Sequence, residues 1–180
     1  MHMITMISAT NRPSSRTEFT AQYIFDLIGK FTDEEVNIIK LSELDSGFVH
    51  PMMYSGEFQH PDLSEIQDKY IIPADKWILL SPEYNGSYSG IGKVFVDALS
   101  VRRYAETFKG KKLGLIGVAS GRGGNLRGLD HLTTSFNYLG MMVYPNRLPI
   151  SEIEEKIEEG KFKEEFVTEL DNYLEGFVKF

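Results

Sequence analysis

Short apolar runs alternate with longer stretches in which apolar residues recur every three or four positions, and this alternation restricts the possible folds more than any other feature of the chain. Met3-Ile4-Thr5-Met6-Ile7 has the length of a strand, and Phe19, Tyr23, Ile24, Leu27 and Ile28 follow at helical spacing. Val36 to Leu41 is a second strand and Trp77-Ile78-Leu79-Leu80 a third. Leu113 to Val118 is a fourth, and Met141 to Tyr144, stopped by Pro145, a short fifth. Ile91, Val94, Phe95, Ala98 and Leu99 form one helical stripe between the third and fourth strands. Leu126, Leu129, Leu132, Phe136 and Leu139 form another after the fourth.

Strands separated by helices of ten or more residues imply βαβ crossovers, hence a parallel sheet covered on both faces. Right-handed crossovers and a count of five predict an α/β, flavodoxin-like three-layer sandwich, a five-stranded parallel sheet of order 2-1-3-4-5 with helices on both faces. With 180 residues, 42% of them hydrophobic, the chain suits one domain over 1–180. It closes on an amphipathic helix carrying Phe166, Val167, Leu170, Tyr173, Leu174, Phe177 and Val178, which Gly160 separates from an acidic helical turn. Asp45 to Asp62, rich in Met and aromatic residues and without a clean period, is a candidate lid or interface element.

The chain has no cysteine, which excludes disulfides, thiolate metal sites and a cysteine nucleophile, so redox chemistry would need a bound cofactor. No apolar run is long enough for a membrane helix and the start lacks the form of a signal peptide, so a soluble, cytoplasmic protein is expected. The net charge of −7 disfavours nucleic acid as a partner. That charge is uneven: residues 151–180 hold ten acidic and four basic side chains, while no acid lies between Ser8 and Thr17 or between Ala119 and Gly128.

Ligands of open parallel sheets bind beyond the carboxyl ends of the strands, near the point where strand order reverses. Three loops leave such ends. Ser8 to Thr17 offers five hydroxyls, an amide, Arg12 and Arg16 just before a helix, chemistry suited to a phosphate at a helix N-terminus; the same residues also read as a helix cap, Ser14 or Ser15 with Glu18. Ser81 to Gly90 contains Asn85-Gly86, which lets backbone approach a flat ligand, and Tyr84 and Tyr88, which could stack on it; the plain alternative is a strand-to-helix turn. Ala119 to Asn125 is Gly-rich but is neither a complete dinucleotide fingerprint nor a P-loop.

Ser81-Pro82-Glu83-Tyr84-Asn85-Gly86-Ser87, followed by Gly90, Lys93 and Asp97-Ala98-Leu99-Ser100, resembles the P-E-Y-N-G-S segment of the NADPH-dependent FMN reductase family, whose members include chromate, quinone and azo reductases. The first loop resembles that family's G-S-x-R-x-x-S-x-N phosphate loop, with Thr10, Arg12, Ser15 and Thr17 on the serine, arginine, serine and asparagine positions. The third resembles its Gly-rich loop, and the similarity covers most of residues 3–146. The chain departs from the pattern at Ala9-Thr10 and Thr17, and in a longer segment after the second strand.

The resemblance implies FMN as cofactor, with NADPH or NADH as electron donor and a small-molecule acceptor: a quinone, azo or nitro compound, an oxidised metal or free flavin. Thr10, Arg12, Ser15, Arg16 and Thr17 would hold the phosphate. Pro82, Glu83, Tyr84, Asn85 and Gly86 would hold the ring edge, with Ser120, Gly121, Arg122 and Gly123 in the Gly-rich cradle. No catalytic side chain and no metal is implied, and a homodimer or dimer of dimers is. Arg102, Arg103 or Arg122 could meet the 2′-phosphate of NADPH. The rival reading is a same-fold flavin-binding sensor or interaction protein without turnover. His2, His50, His60 and His131 show no metal-ligand spacing, no G-x-S-x-G elbow is present, and Glu154-Glu155 and Glu158-Glu159 read as a solvated face.

Overall fold

The computed structural model describes residues 2–45, 47–55 and 59–180. Its elements run β1 (Met3–Ser8), α1 (Arg16–Leu27), β2 (Glu35–Lys40), α2 (Pro61–Ile66), β3 (Lys76–Pro82), α3 (Gly90–Leu99), α4 (Tyr104–Phe108), β4 (Lys112–Val118), α5 (Leu126–Leu139), β5 (Met142–Val143), β6 (Leu148–Ile150), β7 (Ile157–Glu158), β8 (Lys161–Phe162) and α6 (Glu164–Lys179). The main sheet is parallel with order β2-β1-β3-β4-β5, β6 also pairing with β4. Strand order reverses at β1.

Side chains alternate across a strand, so each central strand serves both faces. Ile4, Met6, Ile78, Leu80, Ile116 and Val118 pack with Ala21, Ile24 and Leu27 of α1 and with Phe166, Leu170, Leu174 and Phe177 of α6. Ile7, Trp77, Leu79, Leu113 and Leu115 pack with Phe95, Val96 and Leu99 of α3 and with Leu129, Leu132 and Phe136 of α5. Three layers result. Trp77 is fully buried and meets Phe136 edge-on at 6.1 Å. No helix among the described residues is long and apolar enough to cross a membrane.

Besides the short helix α4, which the sequence reading lacks, three elements differ from it. The fifth strand position is filled twice, because Pro145 stops β5 after Val143 and the chain returns as β6, Ile116–Val118 facing Leu148–Ile150. Pro149 is tolerated there because the missing donor lies on an edge strand. The acidic turn before Gly160 is a 3-10 turn, Ile153–Lys156, followed by the β7–β8 hairpin. Glu159 and Gly160 both have positive φ, +48° and +76°, as the tight two-residue hairpin turn requires. The hairpin docks by Phe162, whose ring lies 5.1 Å from Phe19 and 4.9 Å from Tyr23 of α1.

The third difference is α2, which starts at Pro61 and continues in a wider, π-type turn through Ile71. Its apolar stripe is interrupted by Gln67, which is buried and donates to Leu99 O, Arg102 O and Thr107 Oγ1 at 2.7–3.1 Å. A buried amide in the stripe hides the helical period. Of the segment Asp45 to Asp62, Ser46 and residues 56–58 lie outside the described residues; Val49, Met52 and Tyr54 are exposed.

Gly117 carries the Gly-rich loop on β4. A Cβ there would stand 2.3 Å from Gly124 O and 2.9 Å from the Asn125 Cβ. Gly117→Ala is expected to lower stability by about 1–3 kcal/mol through overpacking. Thermal or urea unfolding checks this; an unchanged midpoint would show that the loop yields freely.

Candidate active site

The ends of β1, β3 and β4 finish side by side, with Ser8 paired to Leu80 and Pro82 to Val118, so the loops that follow share one edge of the sheet. Ser15 is extended and caps α1, its Oγ accepting from Glu18 N at 3.2 Å. Glu18 Oε2 accepts in return from Ser14 N at 2.6 Å. Ser14 takes up the left-handed conformation, φ +56°, that brings the loop round. Thr10 is buried, and its Oγ1 accepts from Arg12 N at 3.2 Å. The cap reading of these residues therefore holds, and it leaves part of what the helix N-terminus offers unused.

The second loop contains a two-residue turn of its own. Tyr84 and Ser87 exchange backbone hydrogen bonds of 2.9 and 3.1 Å, with Asn85 and Gly86 between them at φ +54° and +76°. Tyr84 Oη donates to Asn11 Oδ1 at 3.1 Å, tying this turn to the first loop. Ser89 caps α3 and donates from Oγ to Ala9 O at 2.5 Å, while its N–H donates to Ser81 Oγ at 3.1 Å. The third loop is anchored by Asn125, a buried residue at φ +61° whose Nδ2 donates to Ser81 O and Pro82 O at 3.1 and 3.0 Å.

Together the loops enclose a cleft of about 330 Å³. Thr10, Arg12, Ser15, Arg16 and Thr17 line one end, and Pro82, Glu83 and Tyr84 come from the second loop. Ser120 and Gly121 come from the third. Ten of the fourteen expected site residues thus meet in one cleft. Gly86 and Gly123 border a smaller cleft of about 220 Å³ that shares Glu83 and adds Asn125, Leu126 and Arg127. Asn85 is exposed at the turn, and Arg122 points into solvent with its Nε 3.4 Å from Glu152 Oε1.

Val118, Ala119, Ile153 and Glu154 also line the main cleft. The sequence reading placed the last of these on a solvated face. Arg16 donates to Glu154 from Nε at 2.8 and 2.9 Å and from Nη2 at 2.5 Å. The hydrogen bond to Glu154 raises the Arg16 pKa, and that to Arg16 holds the Glu154 carboxyl below its ordinary value. The first loop is therefore clear of acid along the chain but not in space. Arg12 has no carboxylate partner among the described residues, which leaves it as the cation available to an anion.

Arg102 and Arg103 are occupied elsewhere. Both pair with Asp68 at 2.8 Å, Arg103 also with Glu106, and neither lines the cleft. His131 meets Ser87 Oγ through Nδ1 at 2.8 Å.

The donors fit a phosphate at one end of the cleft: hydroxyls, an uncommitted guanidinium and the start of α1. Tyr84 and Gly121 line the same cleft, and a Cβ added at Gly121 would meet nothing within 4 Å. The cleft suits FMN.

The chain is 28% identical over 148 residues to the NADPH azoreductase of Bacillus sp. (strain OY1-2), covering 81% of this chain and 72% of that protein. It is 27% identical over 184 residues to the FMN-dependent NADPH-azoreductase of Staphylococcus saprophyticus, covering 97% and 93%. Among solved structures, the flavoenzyme NAD(P)H:(acceptor) oxidoreductase FerB of Paracoccus denitrificans superposes with a TM-score of 0.79 at 18% identity, over 99% of this chain and 96% of that one. The sequence model for NADPH-dependent FMN reductases matches residues 3–155, and with that match the chain belongs to the NADPH-dependent FMN reductase family.

Proposed function

We propose that this protein is an FMN-dependent oxidoreductase that draws reducing equivalents from NADPH or NADH and delivers them to a small-molecule acceptor of the azo or quinone class in a ping-pong cycle. The observation that carries this reading is the lining of one cleft by Arg12 and the hydroxyls at the α1 N-terminus together with Pro82, Glu83 and Tyr84 of the second loop and Ser120 and Gly121 of the third. The residues of this cleft would hold FMN, which would supply the redox chemistry between nicotinamide and acceptor.

Each loop then has a definite task. Arg12, Thr10, Ser15 and the first turn of α1 neutralise and orient the phosphate. The Asn85-Gly86 turn, stiffened by its two backbone hydrogen bonds, presents peptide to the ring edge. Peptide N–H groups of the Gly-rich loop, as fixed dipoles, would favour negative charge on a group held beside them. Orientation is maintained because Asn125 and Ser89 lock the loops to the sheet end. No side chain is required as acid or base.

The reading extends to a homodimer in the cytoplasm. Support for the dimer is an apolar cleft of about 590 Å³ between α3 and α5, lined by Val96, Tyr104, Leu132, Phe136 and Tyr138, the last 87% exposed. Equilibrium sedimentation showing only monomer at micromolar concentration would remove that part.

Arg12→Ala should weaken FMN binding by about 1.5–3 kcal/mol, the range for hydrogen bonds to charged groups. Calorimetric titration of FMN into both proteins measures it; equal dissociation constants would show that the phosphate lies elsewhere. The function itself is tested by anaerobic stopped-flow mixing of the FMN-loaded protein with NADPH and with NADH. Rapid loss of the flavin absorbance, restored by an azo dye or a quinone, is expected. A yellow protein that neither nicotinamide bleaches would be a sensor.

A further inference from the structure

Glu154 reaches the phosphate loop from 138 positions away in the chain. It is fixed there by the strap to which it belongs: Glu152 N donates to Gly121 O at 3.2 Å and Ile153 N to Ala119 O at 3.1 Å, while the Ile153 side chain is buried beside the cleft. Behind the strap, Phe162 seats the hairpin on α1. Arg16 lies on the first turn of that helix, at the position that the phosphate-loop pattern leaves open. Its Nε and Nη2 are given to Glu154.

We propose that the Arg16–Glu154 pair is a bar across the phosphate end of the cleft that admits a flavin ending in a phosphate monoester and rejects one that continues into a dinucleotide. The proposal rests on the reading of this cleft as the FMN site. A monoester ends at its terminal oxygens, which Arg12, the hydroxyls and the α1 N-terminus can satisfy on the inner side of the bar. A dinucleotide carries a second phosphate and an adenosine beyond that point. They would leave past the start of α1, where the pair stands, and would set an anionic phosphate against the Glu154 carboxylate.

Rupture of the pair alone would cost little, because half-exposed ion pairs contribute little net stability. Discrimination comes instead from the strap, which keeps the carboxylate in place whether or not Arg16 holds it. Selectivity of this kind is built from a clash and an unmatched charge against the wrong ligand rather than from extra contacts to the right one.

The test is calorimetric titration of the full-length, flavin-free protein with FMN and with FAD. The wild type should strongly prefer FMN. Glu154→Ala should shift the ratio of the two dissociation constants toward FAD by about tenfold or more, a change of about 1.4 kcal/mol. Glu154→Gln, which keeps the side-chain volume and can still accept from Arg16, should shift it less. Arg16→Met leaves the strap-held carboxylate without its cation and should not move the ratio toward FAD, so Glu154→Gln serves if Glu154→Ala does not fold. A ratio unchanged in the Glu154 variants that still bind FMN would overturn the proposal. So would a parallel loss of affinity for both flavins, which is what a merely structural contact would give. A wild type that binds neither flavin would instead refute the functional reading of the cleft, and the bar with it.

Discussion

The cleft depends on one buried polar lock at the carboxyl edge of the sheet. Asn125 gives its amide protons to the last carbonyls of β3, Ser81 O and Pro82 O. Ser89 ties the start of α3 to Ala9 O and to Ser81 Oγ. Polar groups buried at the carboxyl edge of a sheet are costly to leave without partners. Here the N-cap residues of α3 and α5 supply them. The groups that complete the sheet therefore also set the separation of the three loops, which makes site geometry a by-product of satisfying the backbone.

Charge is arranged on the same principle of local compensation. The molecule is acidic overall, yet its cleft is edged by Arg12 and Arg16. One of these cations is matched by Glu154, and the other has no carboxylate partner among the described residues. An unmatched guanidinium at a helix N-terminus is a place for an anion, whereas a matched one is a wall that can be crossed only by displacing its partner. The other clustered arginines, Arg102 and Arg103, lie with Asp68 and Glu106 beyond the end of α3, where they hold down the turn after that helix rather than face the cleft. The shared hydrogen bond from Arg102 lowers the Asp68 pKa, as expected of a carboxylate between two guanidiniums.

Periodicity exposed the elements whose burial is apolar and one-sided. The Leu129-Leu132-Phe136-Leu139 stripe became α5, and Trp77 to Leu80, buried on both faces, became the middle of β3. It failed where a buried polar residue or a proline substitutes for the pattern: Gln67 masks the helix after Pro61, and Pro145 and Pro149 divide the last strand position. The short hairpin near the end was hidden for a different reason. Glu159-Gly160 resembles a helix end, and the docking of Phe162 on Phe19 and Tyr23, which accompanies the extended form, is not visible along the chain.

By itself the sequence determined a parallel sheet covered on both faces and the three loops that leave its carboxyl edge. These follow from side-chain alternation and from residue types that act locally, such as Ser15 as cap and Asn85-Gly86 as turn. Tertiary structure alone decided which cation remains available, which wall closes the phosphate end, and that Asn125 holds the Gly-rich loop. Each of these is a contact between residues from 43 to 138 positions apart. Charge and hydrogen bonding act through space, and no spacing along the chain shows which carboxylate will arrive beside which guanidinium.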